Sequence, residues 1–266
     1  MYNALILTFV LTWGATGAFY FLDGQLDSPA FLFFGFFVMW IPGIVALLFA
    51  YKEGLHLVLF TKSIKSYLIA GTIGLIIAIL TILFSLLFAE YKGLEILRLA
   101  LPPPLNSMHG WLYQIATFSF LVITILVAGL TINTIAAMGE ELMWRGYLWK
   151  KLATLGFFKA NIIIGFLWGL WHLPLVIIGL NYPGHPFLGS ILMILVCLVF
   201  SPLFATLRQN SNAIIIPAVL HGTINASGRL TLILFEDPNP LIIGTTGIMG
   251  IAATAIVFLF VANRTK

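Results

Sequence analysis

Charge is scarce in this chain. Only 8% of its 266 residues are Asp, Glu, Lys or Arg, where soluble domains run near a quarter. With 61% hydrophobic residues and a mean hydropathy of +1.08, a water-soluble globule would expose large apolar patches, so that class is excluded. Runs of Lys and Arg are missing, and so are RNA-binding motifs. The net charge of +4 and pI near 9.2 therefore do not point to nucleic acid. The basic residues sit in short loops between apolar stretches, as in membrane proteins. Cysteine is nearly absent: Cys197 alone allows no intrachain disulfide and no Cys-based metal site. There is no internal repeat of the transporter kind, no low-complexity segment and no domain boundary. The chain reads as one membrane domain, residues 1–266. Its first apolar run begins at Ala4 without a basic n-region or a convincing cleavage pattern, and is read as a retained span.

What is present is a series of apolar stretches. A helix needs about 20 apolar residues to cross the hydrocarbon core. Stretches near 4–22, 31–51, 67–89, 120–149, 160–180, 187–207, 213–235 and 240–262 qualify. The expected fold is all-α, a polytopic bundle of about eight transmembrane helices. The long connection near 90–118 holds Pro102-Pro103-Pro104 and a half-apolar stretch from Met108 to Thr117. That stretch either lies along the interface or extends the fourth span. Placing both termini in the cytoplasm puts Lys52, Lys62, Lys65, Arg145, Lys150, Lys151, Lys159, Arg208, Arg264 and Lys266 inside. Lys92, Arg98 and Arg229 are left outside, which is the bias the positive-inside rule requires.

Ionisable residues within spans cost several kcal/mol and are functional candidates by default. Three groups stand out. Glu140 and Glu141 are adjacent, so they face different partners. Glu141 shares a helix face with Arg145, four residues on, and can pair with it, which frees Glu140 for separate work. Those residues could instead mark a helix end. His172 lies in Trp168-Gly169-Leu170-Trp171-His172-Leu173-Pro174, where Pro174 tends to bend the helix. A lone core His commonly satisfies a backbone carbonyl. His221 and Asn225, again four apart, project from one face, either to bind one group or to join helices by hydrogen bonds. His56, His109 and His185 fall in loops. Counting inward from Lys150, Lys159 and Asn212 at 1.5 Å per residue puts Glu140 about 15 Å deep. His172 comes to about 20 Å, His221 to about 14 Å and Asn225 to about 20 Å. Three helices thus bring polar groups to a similar level.

A carboxylate and a His around one water make a general-base site, and burial tunes a Glu for that work. A second His with an Asn can donate hydrogen bonds to a developing oxyanion. That division of labour suits attack of water on an amide. Cys197 has no His or acid near it in sequence and reads as packing. No Gly-x-Ser-x-Gly elbow is present. Two His and a Glu also match a catalytic zinc site by residue type. Glu140, His172 and His221 would be the ligands, although the His-Glu-x-x-His spacing is missing. Non-catalytic alternatives are an immunity factor or scaffold binding a peptide in the same cavity, or a transporter.

These residues resemble the CPBP family, which includes the Rce1-type CAAX prenyl proteases and bacterial Abi proteins. The family pattern is Glu-Glu-x-x-x-Arg, then Phe-x-x-x-His, then His-x-x-x-Asn or Asp. Glu140, Glu141 and Arg145 fit the first motif, and His221 with Asn225 fits the third. In the second, Trp168 replaces the usual Phe before His172. The resemblance implies a catalytic core near 111–235 and a glutamate-type intramembrane endopeptidase, often labelled a metalloprotease. It implies Glu140 as the base, His172 on the water, and His221 with Asn225 as the oxyanion hole. Glu141, Arg145 and Trp168 would support them, with no cofactor and with zinc as the minority alternative. The implied partners are a peptide or protein substrate, lipidated or membrane-associated forms among them, and the lipid bilayer, with no nucleic acid. Length and the lack of targeting extensions favour a prokaryotic plasma membrane.

Overall fold

The computed structural model describes residues 1–263, with residues 99 and 100 described by backbone alone. Arg264 and Lys266, two of the basic residues assigned to the cytoplasmic side, lie outside the described residues. The chain is an all-helical, multi-pass membrane bundle. It comprises α1 (Tyr2–Phe21), α2 (Pro29–Lys52), α3 (Ile64–Ser85), α4 (Gly110–Leu130), α5 (Ile132–Glu141) and α6 (Trp149–Leu152). These are followed by α7 (Phe157–Trp171), α8 (Leu173–Ile177), α9 (Pro186–Ser211), α10 (Ile215–Gly228), α11 (Leu230–Ile233) and α12 (Ile248–Asn263). Helices α1, α2, α3, α4 and α9 are long and apolar enough to cross a bilayer, and α7 and α12 are shorter apolar helices.

Local chemistry sets the boundaries. Ser28 and Ser63 cap α2 and α3 by accepting from Phe31 N and Ser66 N. Hydroxyls inside the spans donate to carbonyls one turn back, as in Thr8 to Ala4 and Thr81 to Ile77, which satisfies those groups without water. The buried face of α1 is Ala4, Thr8, Thr12 and Thr16, a stripe of small residues that allows close approach. Ile6, Val10, Phe33, Leu48, Ile123 and Val127 point outward, the surface a bilayer would cover.

The expected fourth span at 120–149 is replaced by a longer bent column. Helix α4 begins at Gly110, so most of the Met108–Thr117 stretch is helical. The break comes at Thr131, where φ is −118° and ψ −101°. Local side chains take the carbonyls it frees: Thr131 Oγ1 donates to Val127, Asn133 Nδ2 to Ala128, and Thr134 Oγ1 to Gly129. Beyond α5 the column continues as a π-helical segment, Leu142–Leu148, then α6. The expected fifth span is likewise divided at His172, just before Pro174. The eighth starts at Ile248, later than 240, because turns at Gly244 and Gly247 occupy its expected start.

Helix α10 lies at the centre and packs on α3, α4, α5 and α9; each of its residues from Ile215 to Ile224 is buried. Gly222 meets the column at its bend. A Cβ there would lie 2.6 Å from Thr134 N and 2.7 Å from Gly129 O. Helices α2 and α5 cross as closely, because Gly43 and Gly139 face each other: a Cβ on Gly43 would lie 2.6 Å from Gly139 O. At one end of the bundle Lys151 bridges to Glu53 at 2.5 Å and Lys150 donates to His56 O. At the other, Lys92 pairs with Glu236 at 3.0 Å beside the isolated Tyr91–Phe235 bridge.

Candidate active site

The next residue after Gly139, at the tightest helix crossing, is Glu140. Its side chain is 2% exposed, and its Oε2 accepts a hydrogen bond of 2.6 Å from Trp168 Nε1 on α7. The indole of Trp168 is the hub of the site. Its ring centroid lies 5.8 Å from that of His172 and 5.5 Å from that of His221. Residues 140, 172 and 221, from three separate parts of the chain, thus surround one side chain.

Each histidine has one nitrogen committed. Nδ1 of His172 lies 2.9 Å from Trp168 O. A carbonyl can only accept, so Nδ1 carries the proton, and neutral His172 presents Nε2 as an acceptor. Nδ1 of His221 lies 2.9 Å from Glu141 Oε1, and a carboxylate likewise fixes the proton on that nitrogen. His172 sits between α7 and α8, where the helix resets at Trp171 and Pro174.

Glu141 and Arg145 pair at 3.2 Å, as their spacing predicted. Both are buried, so Arg145, counted above among the cytoplasmic charges, is a core residue. The guanidinium lies 4.3 Å from the Trp168 ring and 4.7 Å from the Phe204 ring, cation–π contacts that offset part of its desolvation. Glu141 therefore serves two donors, the Arg145 guanidinium and the His221 ring. The π-helical turn that follows widens the column beside the two acids, a distortion frequent at functional sites.

Asn225 follows His221 by one helical turn on α10 and is exposed, whereas His221 is buried. The site therefore grades from sealed at Glu141 to accessible at Asn225. Two contributors had no signal in the sequence. Phe204 reaches the site from α9, 5.7 Å from the His221 ring. Cys197 Sγ lies 3.9 Å from His172 Nδ1, although nothing near it in sequence is acidic or a His. Because that nitrogen is already bonded to Trp168 O, Cys197 remains a packing residue. Among the described residues no three His, Cys, Asp or Glu side chains are grouped to hold a metal ion.

Residues 117–227 match the family model described as Rce1-like, type II CAAX prenyl endopeptidase. Over 134 residues the chain is also 31% identical to CAAX prenyl protease 2 of Methanococcus maripaludis, covering 46% of this chain and 46% of that protein. The chain thus spans about half the length of the curated relative it matches. The matched stretch contains Glu140, Glu141, Arg145, Trp168, His172, His221 and Asn225.

Proposed function

We propose that this chain is an intramembrane endopeptidase that hydrolyses a peptide bond with a water activated by Glu140. The observation that carries the reading is the convergence of Glu140, His172 and His221 on the Trp168 indole. Glu140 takes a proton from water, and the hydroxide attacks the scissile carbonyl carbon. The proton then passes from Glu140 to the leaving amine as the C–N bond breaks. Such acid–base work contributes about 10²–10⁴ in rate. Nε2 of His172 accepts a hydrogen bond from the water and holds it. Asn225 Nδ2 donates to the oxyanion. Nε2 of His221 donates beside it when the ring carries both protons, with Glu141 as counter-charge; each such donor is worth about 10²–10³.

The substrate is a membrane-associated peptide or protein, with a prenylated CAAX-type carboxyl terminus as the first class to test. The basic end of the bundle faces the cytoplasm of a prokaryotic cell. Comparative peptidomics of cells carrying the wild-type chain or Glu140→Ala tests the proposal. The variant should insert normally and leave a set of uncleaved peptides that the wild type processes, with or without a strong chelator. Identical peptide profiles at equal protein levels would remove Glu140 as the base.

A further inference from the structure

A second polar constellation lies outside the catalytic site, at the basic end of the bundle. A cleft of about 420 Å³ separates α6 from the end of α9. Trp149 and Leu55 supply apolar walls; Lys150, Arg208, Gln209 and Asn212 supply polar ones. No acidic side chain lines it. Its size falls in the range of small-ligand sites.

Arg208 is the unusual member. It is 4% exposed. Its Nη1 donates to Asn212 Oδ1 at 3.2 Å, a neutral partner, and its Nε is buried with no partner among the described residues. Burial of a guanidinium without a counter-charge costs several kcal/mol. The C-terminal dipole of α9 returns only about 0.3–1 kcal/mol. The remaining charge needs an anion from outside the chain. Lys150, exposed and steered by its bond to His56 O, adds a second cation to the same cleft.

We infer that this cleft binds a phosphate-bearing anion, held by Arg208 and Lys150. Basic pockets between helix ends accept anionic lipid headgroups, and Trp149 beside it suits the membrane interface. The same chemistry would accept a soluble phosphate. The inference does not depend on the protease reading.

The full-length chain, placed in phosphatidylcholine nanodiscs with or without phosphatidylglycerol, provides the test. Bound lipid is counted by native mass spectrometry, and inorganic phosphate is titrated separately by thermal shift. Wild type should retain phosphatidylglycerol over phosphatidylcholine, or be stabilised by inorganic phosphate. Lipid retention unaffected by inorganic phosphate identifies a headgroup site; stabilisation by inorganic phosphate without lipid preference identifies a soluble one. Arg208→Gln should lower either binding about tenfold, and Lys150→Gln should lower it to a lesser extent. Lys159→Gln, which does not line the cleft, should leave it unchanged. Should Arg208→Gln fail to fold, Lys150→Gln against Lys159→Gln carries the comparison. The inference is overturned if neither probe binds, if Lys150→Gln and Lys159→Gln behave alike, or if folded Arg208→Gln binds as wild type. It is also overturned if these variants change only the KM for a peptide substrate.

Discussion

At the scale of single residues, the two adjacent acids hold different positions and should fail differently. Glu141 sits between Arg145 and His221 with no exposure. Glu141→Gln leaves a buried guanidinium uncompensated and should cost about 3–5 kcal/mol, seen as a large fall in the thermal midpoint in detergent. Glu140→Gln keeps an acceptor for Trp168 and should unfold close to wild type while losing cleavage. Trp168→Phe keeps an aromatic ring but removes the donor to Glu140 Oε2. A hydrogen bond to a charged group is worth about 1.5–3 kcal/mol, so kcat should fall roughly tenfold or more with KM nearly unchanged in steady-state assays. The Glu141–Arg145 pair was legible in the sequence because spacing on one helix dictates it. The Glu141–His221 bond was not, since 80 residues separate the partners and only the packing of α10 against the column joins them.

Among elements, what hydropathy could reveal was where apolar length accumulates. It located α1, α2, α3 and α9 well, because long uncharged runs leave few other solutions. It misplaced the fourth span, because α4 continues apolar through the start of what composition presented as a loop. The break at Thr131 depends on three side chains re-bonding the freed carbonyls, which no periodicity reports. The division at His172 was legible, since Pro174 forces it. Gly139 tests how far element packing governs the site. A Cβ there would fall 2.7 Å from Trp40 Cα on α2, against main chain that cannot yield cheaply. Gly139→Ala should therefore cost about 1–3 kcal/mol through overpacking, by thermal unfolding. It should also reduce cleavage, because the adjacent Glu140 moves with its helix.

Across the whole molecule, the connections at the basic end tie α2 to the column that carries the acids. Lys151 holds the Glu53 carboxyl below its usual value of 4.5, Tyr147 adds to this by donating at 2.9 Å, and partial burial opposes it. A depressed carboxyl stabilises the fold above its unfolded value, and that contribution is lost as pH falls through the folded value. As a partly exposed pair it is worth at most about 1 kcal/mol. Glu53→Gln should thus lower the thermal midpoint slightly near neutrality, and the two proteins should converge as the medium becomes strongly acidic. The bare crossing of Gly43 on Gly139 has a wider consequence. Glu140 takes its coordinates from a neighbouring peptide backbone rather than from any rotamer. The outward flank of α2 is then free to vary with lipid composition, while the carboxylate keeps its address.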